Sequence, residues 1–232
     1  MITSTSNEKF KKFADHVFVN EGHRSSDQKD SASKCIPGKV HTVYGVTYCV
    51  FKERAARLGI TPVTYERFYN LTKDDFIKFL WDEYRNNPWY NLSESGAFAM
   101  TEANWLSGKS TWRHAMDTLL KFKIPNIPKV RKYPYLYTKA EQEQIIEAAK
   151  KIPIDKFWDT YTQFYYDWFD RLGKTAYGVT FRNGWLRRVR EFRAFRDFFL
   201  KGDKIVGKES DPFFFPIVLI GSYFAYKMLK KR

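Results

Sequence analysis

The segment from Lys123 to Pro134, KIPNIPKVRKYP, sets the first limit on how this chain folds. Pro125, Pro128 and Pro134 each remove a backbone donor, so no long helix runs through it, and it is the clearest boundary in the chain. On both sides the pattern is helical. Phe10, Phe13, Ala14, Val17 and Phe18 recur at helical spacing and stop near Asn20-Glu21-Gly22. Phe51 to Leu58 reads as helix ending at Gly59. Thr64 and Thr72 open two more, with Asp75 at the capping-box distance from Thr72. Gly96 to Gly108, Thr111 to Phe122, Thr138 to Ile152, Ile154 to Leu172 and Phe181 to Leu200 complete the helical set. His23 to Lys39 reads as a polar loop. His41 to Val50, rich in β-branched and aromatic residues, fits a short strand or the entry to the next helix.

Helices with bulky faces suit the composition. Aromatic residues are 19% of the chain, too many for a disordered one. The net charge of +14 draws polyanions such as nucleic acid, anionic lipid or a bacterial wall. No zinc-finger spacing, RNA-recognition signature or basic zipper accompanies it, so nucleic acid is not the expected partner. His16, His23, His41 and His114 show no pair at metal-ligand spacing, and neither a Gly-x-Ser-x-Gly elbow nor a phosphate loop appears. Neither metal nor cofactor is expected.

Cys35 and Cys49 are the two cysteines, and two free thiols are the expected state, with one bridge as the alternative. The polar start shows no secretory signal. Pro212 to Tyr226, PFFFPIVLIGSYFAY, is fifteen residues without a charge and is followed by a basic end. Counted to Leu229 as a helix it spans roughly 27 Å against a hydrocarbon thickness of about 30 Å. A membrane anchor over 209–232 is therefore expected, the alternative being a helix buried in the core or against a partner.

Glu21 is the residue where chemistry is expected. On its own it is a solvated helix end. Its neighbours change that reading: Asp27 and Asp30 follow six and nine residues later, then Thr42, Tyr44 and Thr47. Glycosidic cleavage needs an acid to protonate the leaving oxygen, and a carboxylate or held water on the other face of the sugar. An acid on a rigid helix end, facing a polar loop with carboxylates and hydroxyls, meets that demand.

Glu21-Gly22-His23, Asp27, Asp30, Gly38 and Thr42-Val-Tyr-Gly-Val-Thr47 resemble the opening motif of glycoside hydrolase family 108, the phage and bacterial N-acetylmuramidases. That motif runs Glu-Gly-Gly, two aspartates, Pro-Gly-Gly, then Thr-x-Tyr-Gly-Ile-Thr. Ala103-Asn-Trp-Leu-Ser-Gly108 is similar to a later segment, and Asn183-Gly-Trp-Leu-Arg-Arg-Val189 to the closing Gly-Trp-Leu-x-Arg-Val. The order holds over roughly residues 10 to 200. His23 replaces the second Gly, Ser31 to Ile36 are inserted, and the usual Asp-Gly-x-x-Gly of the rear module is missing near Lys139 to Lys151.

The resemblance implies a mostly α, lysozyme-like catalytic module over 1–124 with a short β element near its site. A helical rear module over 125–208 and the anchor tail follow. It implies a peptidoglycan hydrolase cleaving the β-1,4 bond between N-acetylmuramic acid and N-acetylglucosamine; the apolar tail alone adds the expectation that it acts from a phage virion or a membrane. Peptidoglycan is the expected partner, with a lipid membrane and other virion proteins beside it. Glu21 would be the catalytic acid, with Asp30 and Thr42 holding water or substrate. Asp27, Tyr44, Thr47 and Trp185 would bind substrate. The plainer alternatives are that the aspartates cap turns and that Trp185 packs the core. Two rival functions stand beside this one: a lytic transglycosylase using the same glutamate, and a membrane-anchored virion protein that has kept the fold without the activity.

Overall fold

The computed structural model describes residues 8–206, except 29, 108–110, 132–136 and 176–177. The apolar tail from Pro212 onward lies outside the described residues. Among the described residues no helix is long and apolar enough to cross a membrane.

Among the described residues ten α-helices carry the fold: α1 (Glu8–Asn20), α2 (Tyr48–Arg54), α3 (Tyr65–Tyr69), α4 (Lys73–Arg85), α5 (Glu94–Ser107), α6 (Thr111–Lys121), α7 (Lys139–Ala149), α8 (Ile154–Leu172), α9 (Arg182–Ala194) and α10 (Arg196–Leu200). Their starts follow local chemistry. Thr72 and Asp75 close a capping box on α4, Thr138 and Glu141 another on α7, and Thr47 and Thr64 cap α2 and α3. Gly59, at φ 70°, ends the short 3₁₀ turn after α2.

The helix expected over Phe181 to Leu200 is broken at Phe195. The break turns α10 back, so that Phe199 meets Phe13, Phe98 and Phe192 in the core. The segment His41 to Val50 supplies both readings it allowed. β2 (Thr42–Val43) and β3 (Val46–Thr47) form a hairpin, β1 (Arg24–Ser25) pairs antiparallel with β2, and α2 begins at Tyr48.

Two apolar clusters form among the described residues. The larger draws on α1, α4 to α10 and the 3₁₀ turn at Pro88–Asn91, on both sides of the proline-rich segment. Its axis is α5, buried on every side, with Ala97, Phe98, Met100 and Ala103 shielded from solvent. The smaller lies under the hairpin and joins Val43, Val46, Phe51, Phe68, Leu71 and Phe79. Tyr44 and Trp105 pack against both clusters and so mark the seam between them.

The free thiols expected at Cys35 and Cys49 are corrected to a disulfide, with Cα atoms 5.3 Å apart. The inserted segment forms a 3₁₀ helix, Ser31–Cys35, whose last residue comes to rest against the first turn of α2. Spacing alone cannot reveal that approach, because it depends on how the loop packs.

Candidate active site

Glu21 follows the last residue of α1, and its amide still donates to Val17 O at 3.0 Å. The backbone that carries it is therefore part of a helix pinned in the core by Phe13, Ala14 and Val17. Its side chain is 16% exposed, enough for a small approach from solvent. It reaches the seam between the two clusters.

The hairpin closes over it. Tyr44 and Gly45 form a two-residue turn between the paired Val43 and Val46, with φ 48° and 76° respectively. Positive φ at both positions is the twist a tight hairpin needs, and Gly accepts it freely. A second demand falls on Gly45: a β-carbon there would stand 2.8 Å from Glu21 Oε2 and closer still to Trp105 Nε1. The carboxylate, the indole N–H and the turn thus share one corner. Among the described residues Trp105 Nε1 has no hydrogen-bond partner.

Behind the carboxylate stands Arg188 of α9. Its Nη1 donates to Glu21 Oε1 in a short contact. Its Nε and Nη2 donate to the two oxygens of Glu102 on α5, at 2.6 and 3.0 Å. His16 Nε2, on α1, lies 3.4 Å from Glu102 Oε1. Burial alone would raise the Glu102 carboxyl, but Arg188 and His16 overcome it and hold it down at about 2. Burial works against the Arg188 charge as well, and the two carboxylates outweigh it, leaving the guanidinium firmly protonated. One buried fork ties three helices to the largely buried acid.

The other candidates scatter. Asp30 caps the 3₁₀ helix, accepting from Ala32 N at 2.9 Å. Thr42 Oγ1 is 3.0 Å from His41 Nδ1, and His41 Nε2 is 3.1 Å from the Asp27 carbonyl, so His41 staples the loop to the sheet. Thr47 caps α2. Tyr44 stacks on His23 at 4.7 Å and packs against Phe18 at 4.9 Å. His23 in place of glycine is therefore part of the hairpin wall. Trp185 packs with Phe169 and Phe181 at 5.1 and 5.5 Å. Tyr44 is the chain neighbour of Gly45, whose backbone lies against Glu21.

Sequence reasoning missed Arg188, Glu102 and Trp105 as site residues. Arg188 is the arginine of the closing Gly-Trp-Leu-x-Arg-Val resemblance, and its signal was a charge set among Leu186, Val189 and Phe192 on the buried face of α9. A cavity of about 560 Å³ contains none of the sequence-derived candidates. It opens between α2, α4 and α6, with Arg54, Glu83, Asn86, Asn104, Trp112 and Gln142 in its walls. Asn104, held by Glu83, precedes Trp105 on α5 and lines this cavity. Among the described residues no cluster of His, Cys, Asp or Glu has the arrangement to hold a metal ion.

No protein-family model matches the chain, and no curated protein matches it in sequence. Its fold is similar to that of the solved structure of SagA from Brucella abortus, with a TM-score of 0.54 and 20% identity over 82% of this chain and 94% of that one.

Proposed function

We propose that this protein is a peptidoglycan-cleaving glycosidase with Glu21 as its acid, and within that class an N-acetylmuramidase akin to glycoside hydrolase family 108. The observation that carries the reading is the placing of one carboxylate at a rigid helix end. It is gripped from behind by Arg188 and bounded in front by the Tyr44-Gly45 turn. With Oε1 taken by Arg188, Oε2 is the oxygen from which a proton would pass to the glycosidic oxygen. The C–O bond then breaks with its electron pair leaving on that oxygen, and the oxocarbenium-like C1 bonds the oxygen of a water molecule, whose released proton restores the acid. The cavity between α2, α4 and α6 supports a glycan as the substrate. Amide side chains from Asn86, Asn104 and Gln142 together with the Trp112 ring supply the mixture of polar anchors and apolar face that sugars need.

A lytic transglycosylase is the second reading, and one observation favours it. Asp30, the expected partner, has its carboxylate engaged as a cap. The carboxylate that Arg188 does bring toward Glu21 is Glu102, fully buried and already bound. A reaction that needs no carboxylate to activate water suits that arrangement.

Mass spectrometry of purified peptidoglycan digested by the parent chain and by Glu21→Gln decides between them. Reducing muramic acid ends that disappear in the variant are the expected result. Anhydro-muramic ends select the transglycosylase. Equal digests from both proteins overturn the enzymatic reading and leave a structural protein with this fold.

A further inference from the structure

We infer that Glu102 is a positioning residue whose work is to neutralise Arg188, so that the arginine can orient Glu21 without imposing a net positive charge on it. The inference rests on Glu21 as the acid and adds how a buried arginine is made compatible with that role.

The difficulty is physical. A general acid must hold a proton at the working pH, yet a guanidinium touching a carboxyl favours the charged form. An arginine beside Glu21 with no other partner would oppose protonation. Arg188 is not in that condition. Two of its donors form a fork on Glu102, the geometry in which guanidinium and carboxylate match best. Glu102 is fully buried, so solvent does not screen the pair, and the two charges cancel at close range. The third donor, Nη1, is left to fix Glu21 Oε1.

The titratable groups of this network come from α1, α5, α8 and α9. Arg188 comes from α9 and Glu102 from α5, and His16 lies on α1 itself. Tyr165 of α8 donates to the Glu102 carbonyl at 3.5 Å, and burial above all holds its hydroxyl neutral. On the hairpin side His23 and Tyr44 are turned to each other. Among these, Arg188 and Glu102 are the close pair whose charges oppose.

The alternative is that Glu102 merely staples α5 to α9. Dependence on pH separates the two roles, since a lost staple lowers the amount of folded protein and leaves the protonation of Glu21 where it was. Two readouts serve: the rate of peptidoglycan solubilisation against pH, and the carbon-13 titration of the Glu21 carboxyl, assigned by its absence in Glu21→Gln. In Glu102→Gln the alkaline limb of the rate and the Glu21 resonance change at a pH at least about one unit lower than in the parent. Glu102→Asp, which keeps the charge, leaves both in place. The double variant Glu102→Gln/Arg188→Gln removes both charges and returns the titration to the parent position, even with the rate reduced by lost orientation.

A folded Glu102→Gln whose limb and resonance stay at the parent pH overturns the inference. Should that variant not fold, the double variant decides: a titration moved upward means that Arg188 had been acting on Glu21 as an uncompensated cation, which also overturns it. Parental activity in Glu21→Gln would sink the acid assignment, while the carbon-13 titration would still judge Glu102.

Discussion

Gly45 stands so close to Glu21 that a β-carbon on it would lie 2.8 Å from the carboxylate, at a backbone φ of 76°. Two independent constraints therefore meet at one residue of the hairpin. The first is conformational, since a left-handed L-residue costs about 1–2 kcal/mol. The second is steric, and it acts on the acid and on Trp105 together.

Gly45→Ala is expected to damage activity more than stability. The added methyl must displace either the Glu21 carboxylate or the indole of Trp105, and a shift of roughly 1 Å at a reacting group costs about a hundredfold in rate. Stability should fall by no more than about 1–3 kcal/mol, the strain plus local repacking. Urea denaturation and peptidoglycan solubilisation on the same preparation measure both. A variant with parental activity would show that the corner above Glu21 is not where the substrate reacts.

Much of this fold was written in local signals. The capping boxes at Thr72 and Thr138 and the even spacing of apolar residues in α1 and α8 are properties of a few neighbouring residues. Glu21 was legible for the same reason, as a charge placed directly after an amphipathic helix. What surrounds it was not. Arg188 lies 167 residues from Glu21 in sequence and 86 from Glu102, so their convergence depends on how α1, α5 and α9 pack. The motif that contains Arg188 drew attention to its tryptophan, yet Trp185 packs on Phe169 and Phe181 while the arginine reaches the acid. Asp30 shows the opposite relation between spacing and contact. Its spacing fits a catalytic partner, and the insertion after it turns that same carboxylate into a helix cap.

Stability is expected to fall with pH in two stages. His114 sits among Tyr161, Tyr165 and Trp168, and its Nε2 has no hydrogen-bond partner among the described residues. Burial, reinforced by Arg171 and Arg113, lowers its value from 6.5 to about 3. The folded chain therefore binds this proton less readily than the unfolded one, and stability contributed by the neutral ring is lost as pH falls from about 6.5 toward 3. Glu102 is depressed from 4.5 to about 2, so its share is complete above 4.5 and disappears below it. The interval between pH 6.5 and 4.5 thus isolates His114. Below pH 6 the slope there should approach one proton, about 1.4 kcal/mol per pH unit. In His114→Phe, which keeps a flat ring and removes the unpartnered nitrogen, that slope should flatten while the loss below pH 4.5 persists. Urea midpoints at pH 7, 5.5 and 4.5 test it, and an unchanged slope in the variant would assign the first stage to another group.

Asp30 offers a test in which one atom separates two roles. As a cap, it needs only an oxygen that accepts from Ala32 N, and the amide of asparagine supplies one equally well. As a catalytic base it needs the charge, which asparagine lacks. Asp30→Asn is therefore expected to keep both stability and the rate of peptidoglycan cleavage within about twofold, whereas Asp30→Ala should lose about 1 kcal/mol from the 3₁₀ helix that carries Cys35. That helix is tied by the disulfide to α2, the helix that follows β3, so loosening it should reach the hairpin and lower activity modestly in Asp30→Ala as well. The decisive comparison is the rate of the asparagine variant against that of the alanine variant. If Asp30→Asn abolishes cleavage while its denaturation curve overlays the parent's, the carboxylate acts in the reaction, and Asp30 returns to the catalytic role its spacing first suggested.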